Sequence, residues 1–431
     1  MHHRYDNTRL YPCVPCHDLR QHLHIIGASG SGKTELLKRL VYAHLDELGQ
    51  DFVLLDPLGG LAEATVDAVP PARNDEIIYF APGHDLEHCV GFNPLDQVAV
   101  DQRHLVADNV VGAFMHIWGA SLDETPRLIY LLYNSIRLLL DDPEGATLLG
   151  LPRLLVDDRY RDRLLRHSLD PVVSNFWSNE FARYDDRFRA QVISPAQNKI
   201  GMLLAPPVLR NILGQRRSTI NIGRLMNEGG SLIANLSKGK LGSTGSALLG
   251  ALIVTAVSQT AQERASIPFK ERRPVTLITD EMQNFATTAF AEVVSELRNF
   301  ALAFVGCHQY LAQLPHELHH AVLANCSTKI VFRVSASEDA CRLAGELALE
   351  NTSLLAETAN YKAWVRLMRN GLPGDPLFVD MLKAEPPAVG RKAAVVAHTR
   401  ARRPERSPAR AELHAARRRR TRAGRRALAS P

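Results

Sequence analysis

The sequence has little of what marks an exported or membrane-spanning chain. It opens Met1-His2-His3-Arg4-Tyr5-Asp6, polar and without an apolar leader, so export is not expected. Its six cysteines are scattered; no disulfide framework is spelled out, and a reducing cytoplasm is the expected home. Long apolar runs fall short as well. Leu128 to Leu140 is interrupted by Asn134 and Arg137 and reads as a helix of a globular domain. Ala247 to Val257 is apolar all round, but it covers about a dozen positions where a span needs roughly twenty. A buried helix and no integral membrane segment are expected. No internal repeat is present.

A strong charge of one sign is also missing from the body. Lys plus Arg number 51 against 46 Asp plus Glu, a net +5. The excess sits at one end. From Arg391 onward there are fourteen Lys/Arg and two Asp/Glu, a local +12 that leaves −7 for everything before it. From about Glu385, Pro, Arg and Ala dominate and no apolar period survives. A disordered basic tail over 386–431 is expected, serving either as an arm for nucleic acid or another anionic surface, or as a solvated end without a partner.

What is present is an alternation of short apolar strands and amphipathic helices. His22 to Ile26 reads as a strand, followed by a glycine-rich loop and a helix with Leu36, Leu37, Leu40, Val41, Leu45 and Leu48 on one face. Phe52 to Leu55 and Ile77 to Phe80 read as two more strands. Between about 101 and 217 strand patterns vanish and Leu/Arg/Asp-rich helical ones replace them. Strands return at Ser231 to Leu236, Val275 to Thr279, Leu302 to Gly306 and Lys329 to Val334, with an edge strand at Tyr361 to Met368. The pattern predicts an α/β fold: a mainly parallel sheet flanked by helices, built from 1–100 and 218–385, with an all-helical insertion at 101–217.

Two motifs carry chemistry. Gly27-Ala28-Ser29-Gly30-Ser31-Gly32-Lys33-Thr34 matches the Walker A pattern in full, between a strand and a helix. Glycines let backbone N–H groups wrap phosphate oxygens, and the helix N-terminus adds its dipole. Lys33 would meet the β- and γ-phosphates of ATP, and the Thr34 hydroxyl would ligate Mg²⁺. Val275 to Thr279 then delivers Asp280 and Glu281 to the end of a buried strand, the edge where parallel sheets bind nucleotides. There Asp280 would hold Mg²⁺ through water and Glu281 would act as general base. Gln309, just past the next strand, is a candidate contact to the γ-phosphate or the water. Arg298 lies about 100° around the helix from the apolar Leu297 and leaves that face.

Four further segments accompany these motifs: Gly91-Phe92-Asn93-Pro94-Leu95, Asn235-Leu236-Ser237-Lys238-Gly239, Asp280-Glu281-Met282-Gln283-Asn284-Phe285 and His308-Gln309-Tyr310-Leu311-Ala312-Gln313-Leu314. In order and spacing they resemble the conjugative coupling ATPases (TraD/TraG-like) and their HerA/FtsK-type relatives, from His22 to about Leu382. The resemblance implies a RecA-like motor domain with an all-helical insertion. It further implies ring hexamers that move DNA, with ATP at subunit interfaces and secretion or relaxosome-type protein partners. It makes Gln309 the sensor glutamine and Arg298 an arginine finger acting on the neighbouring subunit. Many coupling proteins begin with a pair of membrane helices, and this sequence has none, so a HerA-like role in DNA repair or defence, or a secretion-assembly ATPase, is the alternative.

Three patterns compete. His316-Glu317-Leu318-His319-His320 matches the zinc metalloprotease signature H-E-x-x-H, with no clear third ligand after it. Cys13-Val14-Pro15-Cys16-His17 has the form of a haem attachment site, or half of a zinc site, but haem attachment requires export. Phe176-Trp177 and Phe181 could stack bases, and their spacing fits a hydrophobic core equally well.

Overall fold

A computed structural model describes residues 5–6, 9–10 and 22–402, apart from 85–89, 120–124, 286, 288–289, 292–293 and 370–371. Cys13, Cys16, His17 and the basic stretch after residue 402 lie outside the described residues.

The chain divides into two compact units, one from 1–81 with 222–399 and one centred on 82–221. The first is built on a nine-stranded sheet. In chain order its strands are β1 (Leu23–Ile26), β2 (Asp51–Asp56), β3 (Ile77–Phe80), β4 (Ser231–Asn235), β5 (Val275–Thr279), β6 (Leu302–His308), β7 (Thr328–Val331), β8 (Lys362–Arg366) and β9 (Leu377–Asp380). Across the sheet the order is β9-β8-β7-β1-β6-β5-β2-β4-β3. Seven strands from β7 to β3 run parallel, and β8 and β9 close one side antiparallel. The parallel strands are buried along their whole length, as a sheet covered on both faces must be.

Alternation of side chains explains the two cores. Ile25 joins one hydrophobic cluster with helices α1 (Lys33–Leu45) and α2 (Gly60–Asp67), through Leu37, Val41, Leu61 and Val66. Ile26 faces the other way, into a cluster with Leu343 and Leu347. A long helix, Lys238–Glu263, follows β4 and is broken at Gly242 by a non-helical φ of 72°. Over Lys238–Ser266 it is long and apolar enough by composition to cross a membrane, and 67% of its apolar window is buried inside the fold. It is longer than the apolar run suggested, because Ser, Thr and Gln continue the helix past Val257.

The stretch expected to be disordered from 386 is ordered in part. Residues 392–401 form a helix, Lys392–Ala401, with Val395 fully buried. Asp67 accepts from the Gly390 and Lys392 amides, and Thr399 Oγ1 accepts from Tyr79 N at 3.0 Å. That last bond satisfies a donor on edge strand β3 that no further strand pairs. Tertiary contacts here override a composition that argues for disorder.

Among its described residues the second unit contains helices and no strand. Its recurring aspartates are helix caps: Asp157 accepts from Tyr160 N, Asp170 from Val172 N and Asp185 from Phe188 N. Phe176, Trp177 and Phe181 are buried core, the last two with ring centroids 4.7 Å apart. Asn93 pins the unit's two ends together, donating to Ala146 O at 2.9 Å and Arg216 O at 3.1 Å. In this motif the asparagine is structural.

Candidate functional site

Parallel pairing brings four strand ends to one edge. Ile26 is paired with His308, Thr279 with Gly306, and Leu55 with Thr279. At that edge lie the Gly27–Thr34 loop after β1, Asp56 at the end of β2, Asp280-Glu281 after β5 and Gln309 after β6. Lys33 and Asp280 therefore share an edge, as ATP chemistry requires.

The loop's shape depends on its glycines. A Cβ on Gly27 would lie 2.5 Å from Phe332 Cβ, and Gly32 has φ 119° with Phe332 and Tyr361 both 3.2 Å from where its Cβ would be. Gly32 is the N-cap of α1 and has no side chain to offer, so the first amides of the helix carry no side-chain cap. Lys33 folds back, donating from Nζ to Gly27 O at 2.7 Å and Ala28 O at 3.0 Å. Ser31 Oγ is buried without a hydrogen-bond partner. Uncapped helix amides, an ammonium held only by carbonyls and an orphaned hydroxyl fit a polyphosphate. Thr34 is exposed at the first turn of α1.

Asp280 is 2% exposed. Burial, then the nearby Asp56 and Glu281, push its carboxyl up to about 7, against a hydrogen bond from the Cys307 thiol and the charge of Lys33. A buried acid so poorly compensated fits a divalent cation, which would hold its ionised form. Glu281 sits in the left-handed region, φ 49°, with its amide bonded to Asp280 Oδ1 at 3.0 Å. Its two carboxylate oxygens accept separately, Oε1 from Gln309 Nε2 at 2.9 Å and Oε2 from Gln283 Nε2 at 2.7 Å. Strain of this kind in a non-glycine residue gathers at functional sites.

Two features lay beyond the sequence reading. Lys238 Nζ donates to Asn284 Oδ1 at 2.6 Å, and Asn284 Nδ2 donates to Glu281 O at 2.7 Å; the quoted Asn235–Gly239 motif was the signal for it. Below the loop, His24 and His308 stack with Nε2 atoms 2.7 Å apart. His308 Nδ1 faces Tyr310 O at 3.0 Å and so carries the proton. Its Nε2 then accepts from His24. Burial lowers both imidazoles, His308 to about 4.

Arg298 does not join this edge. It lies in a short 3-10 turn, Leu297–Phe300, before β6 begins, exposed and close enough to bear on His22 at the start of β1. That is the opposite end of the parallel strands from Lys33. The H-E-x-x-H histidines sit on helix His316–Asn325, with His316 and His320 Nε2 atoms 3.1 Å apart. His320 Nδ1 also meets Arg342. Among the described residues no group of three His, Cys, Asp or Glu could hold a metal there or elsewhere.

No protein-family model and no curated protein matches the chain. Solved structures do. The bacterial conjugative coupling protein TrwBdeltaN70 is similar with a TM-score of 0.64 at 15% identity, over 88% of this chain and 89% of that one. TrwB in complex with ADP and Mg²⁺ gives 0.61 at 16% identity, over 87% and 89%. VirB4 of Thermoanaerobacter pseudethanolicus gives 0.50 at 12% identity, over 84% and 89%. Over most of its length the chain has the RecA-like fold of the conjugative coupling protein TrwB.

Proposed function

We propose that the protein is a Mg²⁺-dependent ATPase that drives a motor of the conjugation and secretion class. The observation that carries this reading is the convergence of a lysine-bearing phosphate loop and a glutamine-held glutamate on one sheet edge. On this reading Lys33 Nζ exchanges the Gly27 and Ala28 carbonyls for phosphate oxygens. The amides from Gly30 to Thr34 take up the remaining phosphate charge. Thr34 and Asp280 would hold Mg²⁺, which neutralises charge on the phosphates when bound. Glu281 accepts the proton of the attacking water, and Gln309 and Gln283 keep its oxygens aimed.

DNA translocation by a hexameric ring is the finer part of the proposal. It is supported by the likeness to TrwB and by the position of Arg298. An arginine at the far end of the strands cannot serve the nucleotide of its own copy, but it is free to serve a neighbour's. Mixing Arg298→Ala with Glu281→Gln subunits should then restore part of the lost activity, and no recovery at any ratio would remove the finger. Secretion or relaxosome-type partners and action in the cytoplasm, where ATP is supplied, belong to the same proposal. The deciding experiment is the ATPase rate with and without single-stranded and duplex DNA. Strong stimulation by either is expected; a rate indifferent to both would favour a protein-assembly ATPase.

A further inference from the structure

Tyr361 stands out at the phosphate loop. Its backbone is left-handed, φ 61°, in a residue that is neither glycine nor asparagine. Both of its peptide groups are engaged: its amide donates to Ser31 O inside the loop at 2.7 Å, and its carbonyl accepts from Met381 N at 2.7 Å. The ring lies against Gly32, with Cδ1 3.2 Å from where a Cβ would be, yet the residue is 56% exposed. Among the described residues its phenol has no hydrogen-bond partner and its ring stacks on no other ring. Phe332, the other aromatic touching Gly32, is fully buried.

Elementary backbone economics would place glycine at such a φ. Neither peptide hydrogen bond needs the side chain, and the exposed ring adds little to the core. A large aromatic kept in a strained conformation beside a phosphate cradle has a reason to be there only if something covers it. The nucleoside of a bound triphosphate must leave the loop over its rim, and this ring is an exposed aromatic surface packed against the loop itself, at Gly32. We propose that Tyr361 is the stacking platform for the nucleobase. The proposal rests on the phosphate-loop reading above and adds the subsite that reading lacks. Stacking uses a base's π-face and not its edge, so ATP and GTP should both depend on the ring.

Calorimetry of the full chain with Mg²⁺·ATP and with Mg²⁺·tripolyphosphate separates the ring from the cradle. Tyr361→Ala should weaken ATP binding about tenfold, the scale of one base–aromatic stack, and leave tripolyphosphate within about twofold. Tyr361→Phe should bind as the native protein does. Tyr361→Gly, which relieves the left-handed strain and keeps both peptide hydrogen bonds, guards against a folding failure of the alanine variant and should show the same selective loss. In Tyr361→Trp the indole fluorescence should be quenched by ATP and not by tripolyphosphate. Equal weakening of both ligands, or no loss for ATP, would overturn the platform. Lys33→Ala is the separate control: if it binds both ligands normally, the phosphate loop itself is misread.

Discussion

Neighbouring strands β2 and β5 each lead to a buried aspartate at the same sheet edge, Asp56 and Asp280, and the two behave oppositely. Asp56, fully buried, accepts three backbone amides at 2.8 Å, from Leu58, Gly59 and Ala62. It is spent on holding the start of α2. Asp280 has the Glu281 amide and a weak thiol donor, and its carboxyl is held up near neutrality. One acid is satisfied by the fold; the other keeps unmet hydrogen-bonding capacity, which on the proposed function a cation would take up. The contrast teaches that burial alone does not make a carboxylate a candidate metal ligand; burial with unmet hydrogen-bonding capacity does.

The contrast can be broken by exchanging the two losses. Asp280→Asn should lower ATP turnover at least about a hundredfold while the protein stays folded, because on the proposed function the lost group would hold Mg²⁺. Asp56→Ala should do the reverse in kind. It leaves three amides unpaired, and chemical denaturation should show a loss of about 3 kcal/mol. Equal destabilisation by both variants would erase the distinction.

Stability against pH sharpens it. The folded state keeps the Asp280 proton up to about pH 7, whereas an unfolded aspartate loses it near 3.8. This group's contribution therefore falls as pH rises from about 4 to 7 and stays low above that. The buried His22, His44 and His308, each lowered to about 4, act in the opposite sense as pH falls below 6.5. Subtracting the native curve from that of Asp280→Asn cancels the histidines. Without nucleotide and Mg²⁺ the variant should be more stable at pH 8 by up to about 4 kcal/mol and should lose the advantage toward pH 4. A smaller effect is expected at the glutamate's holder: Gln309→Ala should slow turnover roughly tenfold with little change in nucleotide affinity, since Gln283 still holds the other oxygen.

Much of this was legible in the sequence because it is local. β-Branched runs such as Val275–Thr279 announce buried strands, and a glycine loop between strand and helix announces where the sheet's parallel edge opens. β9 escaped because its alternating residues, Leu377 to Asp380, are half exposed and follow a Gly-Asp-Pro turn. The helix at 392–401 escaped because its burial rests on Asp67 and Tyr79, more than three hundred positions away. The His24–His308 pair, the amide cage around Asp56 and the position of Arg298 at the far strand ends are properties of strand order, which no local pattern encodes.

Comparing Mg²⁺·ATP binding and hydrolysis in Glu281→Gln tests the shared edge most directly. Native-like affinity with turnover reduced a hundredfold or more, about the contribution of a positioned general base, is the predicted result. Undiminished hydrolysis would contradict it.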